Sequence, residues 1–169
     1  MKTRNSLAAV VGTLMFVTAG TAVAASPGQA GQIARGKYLV TIGGCNDCHT
    51  PGYMEKGPAV PEKDWLTGVP VGFQGPWGTT YPANLRLVMQ SMSESEWISH
   101  ARQQRLPPMP WYNLAKMTDA DLKAVYAYVR NLGNPGSSAP KYVAPGGKVD
   151  TPFFVFVPQS DARTAANGK

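Results

Sequence analysis

The chain has 169 residues, with 16 Lys and Arg against 10 Asp and Glu and only two cysteines. That length fits one domain, and the formal charge of +6 is mild and scattered, so no basic run reads as a patch for nucleic acid or an anionic membrane surface. With 18 glycines and 15 prolines a large share of the chain must be loop, and the interior needs something besides side chains to organise it.

Lys2 and Arg4 open the chain, Leu7 to Val17 carries no charge, and Ala22-Val23-Ala24 offers small residues where a signal peptidase cleaves. This layout predicts a secretory signal peptide over residues 1–24. As a membrane anchor the stretch is poor. Extended to Val23 it has 17 residues, diluted by Gly12, Thr13, Thr18, Gly20 and Thr21, where a span wants about 20 predominantly apolar ones. Cleavage leaves 14 basic and 10 acidic residues, a net +4, in a mature chain with no membrane span and a periplasmic destination. Charge of that size suits steering an encounter with an acidic partner.

The cysteines come next in the chain. Cys45-Asn46-Asp47-Cys48-His49 places two thiols three residues apart with a histidine directly after. A disulfide between them would close a very small loop and stabilise little. A thioredoxin-like pair needs a βαβ context that the flanking sequence does not offer. Zinc needs about four ligands, and His100, the other histidine, cannot complete a set. Cys-x-x-Cys-His is instead the attachment pattern for haem c. Sulfurs one helical turn apart reach the two vinyl groups on one porphyrin edge, and the following imidazole meets the iron from one face. Attachment occurs outside the bacterial cytoplasm, in agreement with an export signal.

Residues 33–50, Ile-Ala-Arg-Gly-Lys-Tyr-Leu-Val-Thr-Ile-Gly-Gly-Cys-Asn-Asp-Cys-His-Thr, resemble the opening of a class I cytochrome c. The resemblance extends over about residues 30–133. It implies an all-α fold of three to four helices around one covalently bound haem, with long Pro/Gly-rich loops, over a domain spanning residues 25–133. It also implies an N-terminal helix whose Gly36 lets the C-terminal helix cross closely, with Tyr38 as the nearby aromatic.

Residues 51–92 are rich in Pro and Gly and hold Trp65 and Trp77. Leu66-Thr67-Gly68-Val69-Pro70 and the stretch from Gly75 to Leu85 resemble loops in cytochrome subunits of membrane-bound sugar and alcohol dehydrogenases. Those loops often continue Asn-Ile-Thr-Pro-Asp, where this chain has Asn84-Leu85-Arg86-Leu87, and those subunits commonly carry several haem motifs, where this chain has one. Loops here must wall a haem from water. Trp77 and Tyr81 are candidates to hydrogen-bond the propionates and Arg86 to pair with one. Plain packing of the aromatics and a solvated Arg are the alternative. The second ring nitrogen of His49 needs a partner, and the resemblance points to a backbone carbonyl at Pro58 or Pro70.

Ser93 and Glu96 form a capping box, which predicts a helix start with His100 two turns in. After it, Leu106-Pro107-Pro108-Met109-Pro110-Trp111 cannot continue a helix, because the prolines fix φ and remove donors. This stiff loop presents one soft sulfur, 60 residues after His49, where class I cytochromes carry the axial methionine. Met109 is thus the candidate second ligand. His100, which would give a bis-histidine haem, and Met89 and Met92 are its rivals. His/Met ligation raises the reduction potential relative to more basic ligand pairs and leaves no open iron position.

Thr118 begins the last helix, with Asp119 and Asp121 at its positive end. Leu122, Val125, Tyr126, Val129 and Leu132 recur at helical spacing, and Gly133 with Pro135 ends the run, so the helix covers about residues 119–132. By resemblance Tyr126 packs near Gly36. Residues 134–169 form a tail: a Gly/Pro/Ser-rich linker to 148, then an apolar segment over 152–158, Pro-Phe-Phe-Val-Phe-Val-Pro. Left bare, that segment is an aggregation hazard. It is expected to wrap back onto the domain or to dock on a partner.

The reading as a whole is a periplasmic mono-haem cytochrome that transfers single electrons between a dehydrogenase or other donor and an acceptor such as an oxidase or reductase. It is a carrier rather than an enzyme. The alternatives are a haem enzyme or gas sensor with an open iron, and a redox subunit bound in a dehydrogenase complex.

Overall fold

The computed structural model describes residues 27–133 and 136–157; the expected signal peptide over 1–24 and the end of the tail lie outside them. Helix α1 spans Pro27–Ile42, and a proline at a first helical position loses no bond that the helix needs. It buries Gly36, Leu39 and Val40, which are spaced one turn apart and so share one face. Gly43 and Gly44 stop the helix, the latter at φ 65, and the motif helix α2, Cys45–His49, follows at once.

Helix α7 spans Asp119–Asn131, with the Thr118 side chain accepting from Asp121 N and Gly133 at φ 75 beyond its end. It crosses α1 at Gly36. A Cβ placed there would lie 2.0 Å from Ala124 O and 2.6 Å from Tyr128 Cβ, so only glycine permits this approach. The aromatic at the crossing is therefore Tyr128, and not Tyr126 as the resemblance implied. The i and i+4 residues Ala124 and Tyr128 share the crossing face, whereas Tyr126 is turned away from it and donates its hydroxyl to Met92 O at 2.8 Å. Ala124 and Tyr128 accordingly join Leu122, Val125 and Val129 as the buried face of α7. Tyr38, the other expected aromatic, is exposed, with Arg35 over its ring. At the edge of the crossing Arg35 pairs with Asp121 at 2.9 Å, and Lys37 pairs with Glu62.

The remaining helices are α3 (Tyr53–Lys56), α4 (Leu85–Gln90), α5 (Glu94–Ala101) and α6 (Trp111–Lys116). The expected capping box is present at α5, with Ser93 and Glu96 each accepting from the other's backbone N–H. Trp97 on α5 is buried and donates Nε1 to Leu122 O at 2.9 Å, locking α5 onto α7. Seven helices stand among the described residues, more than the three or four expected. The difference lies in the short α2, α3, α4 and α6, too brief to show a period.

A small sheet was not expected. Strands β1 (Gly72–Gly75) and β2 (Gly78–Thr80) form an antiparallel hairpin, and β3 (Phe153–Val155) from the tail pairs in parallel with β1, giving the order β2-β1-β3. The apolar tail, expected to wrap back onto the domain or to dock on a partner, wraps back through β3 and keeps Phe153 to Val157 exposed. Among the described residues no helix is long and apolar enough to cross a membrane.

Candidate functional site

The motif helix is held from several sides. Gly44 enters it in the left-handed region, and Thr50 leaves it extended, at φ −117. Thr50 Oγ1 donates to Asn46 Oδ1 at 2.8 Å and accepts from Leu66 N at 2.8 Å. Leu66 is fully buried and is the one non-glycine residue at positive φ, 61, among the described residues. Such a backbone costs about 1–3 kcal/mol and persists only where its surroundings impose it. Here Thr50 holds its N–H, and its carbonyl accepts from Leu85 N at 3.0 Å.

That turn delivers Gly68 to the site. Gly68 N donates to His49 O at 2.9 Å. A Cβ on Gly68 would lie 2.7 Å from Asn84 N and 3.1 Å from Ala83 C, so the glycine admits the Ala83–Asn84 backbone against the motif. His49 Nδ1 lies 2.7 Å from Ala83 O. A carbonyl only accepts, so Nδ1 carries the proton and Nε2 of the neutral ring keeps its lone pair. The carbonyl that orients His49 is thus Ala83's, and neither Pro58's nor Pro70's as the resemblance implied. His49 is 8% exposed. Burial lowers its pKa, with the Ala83 bond opposing, which favours the neutral, ligating form.

Cys45 and Cys48 are free thiols, both partly buried. Burial pushes Cys45 up to about 11 and also raises Cys48, with the Asp47 carboxylate adding to both. Inside the same helix, Asn46 Nδ2 is the one buried side-chain nitrogen or oxygen without a hydrogen-bond partner among the described residues.

The loop 106–110, which carries the candidate Met109, leads into α6. Met109 is half-buried. Its carbonyl accepts from Trp111 N at 2.8 Å, and Pro107 O accepts from Thr80 Oγ1 of β2 at 2.9 Å. Arg102 steadies the far end of α6, donating to Ala115 O, to Met117 O at 2.8 Å and to Asp119 Oδ1 at 2.6 Å. Of the rivals, Met89 is wholly buried in the core and Met92 packs against it. His100 lies half-buried on α5 beside the Trp97 ring, its pKa lowered by burial and by Arg105.

Residues 33–133 match the family described as Cytochrome c. The chain belongs to the cytochrome c family. Comparisons with curated proteins and with solved structures returned no match. The family binds haem c covalently through a cysteine pair, and the cysteines here stand at 45 and 48. The donor set fits that group: two unpaired thiols one turn apart and a neutral imidazole with one nitrogen oriented and the other able to ligate.

The candidate propionate partners of this cytochrome are otherwise engaged. Arg86 is buried and donates Nε to Trp65 O at 2.8 Å, Nη1 to Leu132 O at 3.0 Å, and Nη2 to Lys63 O at 2.8 Å and Glu62 O at 3.2 Å. This differs from the expected propionate pairing: the cation ties the 62–65 turn and the end of α7 to α4. Trp77 Nε1 donates to Phe73 O at 3.3 Å, and Tyr81 OH shares a 2.7 Å bond with Thr151 Oγ1.

Sequence reasoning missed Ala83, Gly68 and Thr50. Only Gly68 left a signal, as a glycine inside a loop that the resemblance had already marked. It also passed over Met117, whose Cε and Cys45 Sγ each lie 3.7 Å from the position a Cβ on Gly43 would take.

Proposed function

We propose that this cytochrome c is exported to the periplasm and shuttles single electrons between a dehydrogenase or other donor and a downstream acceptor, with His49 and Met109 as the axial ligands of one haem held by Cys45 and Cys48. The observation that carries the reading is the His49–Ala83 bond, which orients a buried, neutral imidazole directly beside the two thiols. Bound haem supplies a ferrous/ferric couple whose potential follows its ligands and surroundings.

The chain's own residues do the rest. Cys45 and Cys48 anchor one porphyrin edge, and His49 presents Nε2 from a ring held by Ala83. Met109 offers a soft, uncharged thioether from a loop stiffened by three prolines. Were His49 and Met109 both to hold the iron, no position would be left there for a small-molecule substrate, and the haem would serve outer-sphere transfer. Arg86 holds the 62–65 turn and the end of α7 against α4.

The decisive experiment is the visible spectrum of the oxidised, exported protein beside that of Met109→Ala. A weak far-red charge-transfer band, lost in the variant, is the expected result. A high-spin spectrum that responds to carbon monoxide or cyanide and ignores the substitution would mean an open iron and an enzyme or sensor.

A second reading, a redox subunit bound in a dehydrogenase complex, is favoured by one feature. Phe153 to Val157 remain exposed although β3 is paired, and an apolar strip of this kind marks interaction surfaces. Co-purification of the native protein with a dehydrogenase separates a fixed subunit from a free carrier.

A further inference from the structure

The segment 136–157 lies beyond the residues that match the family, yet its bonds converge on one stretch of the domain, residues 72–84. Gly72 N donates to Pro152 O at 2.8 Å and Phe156 N to Gln74 O at 2.7 Å, on either side of the β1–β3 ladder. Thr79 and Val143 exchange two backbone bonds, at 2.8 and 3.0 Å, on the other edge of the hairpin. Tyr142 OH donates to Trp77 O at 2.8 Å, Thr151 Oγ1 bonds Tyr81 OH, and Asn84 Nδ2 donates to Ser137 O at 2.9 Å. Phe154 and Phe156 set their rings 5.7 and 5.6 Å from Phe73.

The clasped stretch touches the loops of both axial candidates. Thr80 Oγ1 donates to Pro107 O, two residues before Met109. Three residues after Thr80, Ala83 O accepts from His49 Nδ1. Strands of four and three residues make a ribbon that is marginal alone in water. Flanking it with β3 on one edge and Val143 on the other gives it partners on both sides. We propose that the C-terminal segment is a clasp: by fixing residues 72–84 it positions His49 and the Met109 loop at once. Phe154, Phe156, Thr151 and Tyr142 are positioning residues, which act on the site only through the hairpin. The distal half of this inference rests on Met109 being a ligand; the effect on the loop itself does not.

The test uses the full-length, haem-loaded protein carrying Phe154→Ala and Phe156→Ala, with Phe154→Leu and Phe156→Leu as the conservative pair. Hydrogen exchange at the Trp111 amide, which bonds Met109 O, reads the loop directly. Titration with imidazole, which competes with a methionine for the iron, reads its ligation. A clasp predicts Trp111 exchange and imidazole affinity each raised by about tenfold through a larger open population, with the leucine pair restoring both. Amides of the α1–α7 crossing should change by no more than about twofold. Trp111 exchange within about twofold of the unaltered protein, or an equal acceleration of every amide, would overturn the proposal. If Met109→Ala leaves the spectrum of the unaltered protein unchanged, the ligand reading fails while Trp111 exchange still decides the clasp.

Discussion

The surroundings of His49 and of Met109, the proposed second ligand, are built differently. On the His49 side, the side chain is buried, its carbonyl accepts from Gly68, its ring donates to Ala83, and its neighbour Thr50 bridges Asn46 and Leu66. Those ties come from two separate chain segments and converge inside the core. On the Met109 side, a half-buried loop is held by the Thr80–Pro107 bond and by Trp111 N at the turn into α6. The lesson is that stiffness comes from different sources. The first is rigid through buried hydrogen bonds made to two distant segments, the second through proline geometry and a few contacts at its edges. Low local contact density of the second kind marks the part of a fold that opens first.

Substitutions can break that contrast, and the deepest cut is on the His49 side. Gly68→Ala puts a methyl 2.7 Å from Asn84 N at a φ of 80, so it must displace the Ala83–Asn84 backbone. We expect a loss of about 3 kcal/mol in urea unfolding. A shifted haem potential should accompany it, because the His49–Ala83 bond lengthens. Unchanged stability would mean that the close approach is not required.

Thr50→Val comes next. It strips Leu66 N of its acceptor and Asn46 Oδ1 of its donor, all buried, and should cost about 2 kcal/mol by the same measurement.

Thr80→Val, by contrast, removes only the bond to the Pro107 carbonyl and a longer one to Phe73 O. Urea stability should fall by about 1 kcal/mol or less, while the far-red band expected of the proposed Met109 ligation weakens. An equal effect of Thr50→Val and Thr80→Val on that band would erase the distinction between the two sides.

The smallest effect concerns pH. Glu62 is held below the usual carboxylate value first by the Lys37 hydrogen bond and also by Tyr128, with burial opposing. A depressed acid contributes stability above its ordinary pKa of 4.5 and loses it as the pH falls through the lower folded value. The pair is partly exposed, so the contribution stays below about 1 kcal/mol. Glu62→Gln should therefore be less stable than the parent at pH 6, with the gap closing below pH 4.5. It should leave the Met109 loop untouched, since Glu62 joins α1 and α7 rather than the hairpin.

What the sequence determined by itself is local in nature. The Cys45–Cys48–His49 motif, the Ser93–Glu96 capping box and the helix from Thr118 to Gly133 depend on residues within a turn or two of one another, and side-chain identity suffices to recognise them. What only the tertiary structure decided involves groups that every residue carries or faces that two helices share. Any carbonyl could have oriented His49, and the choice of Ala83, 34 residues away, follows from Gly68 letting two backbones meet. Tyr126 and Tyr128 both lie on α7, and the close approach of Ala124 to Gly36 selects the second. A cation near a haem reads as a propionate partner until four backbone carbonyls claim Arg86. The apolar tail could serve a partner or its own domain, and the edge of a short hairpin took it up as a third strand while its side chains stayed exposed, because a strand's N–H and C=O groups pair with whichever extended segment the fold brings alongside.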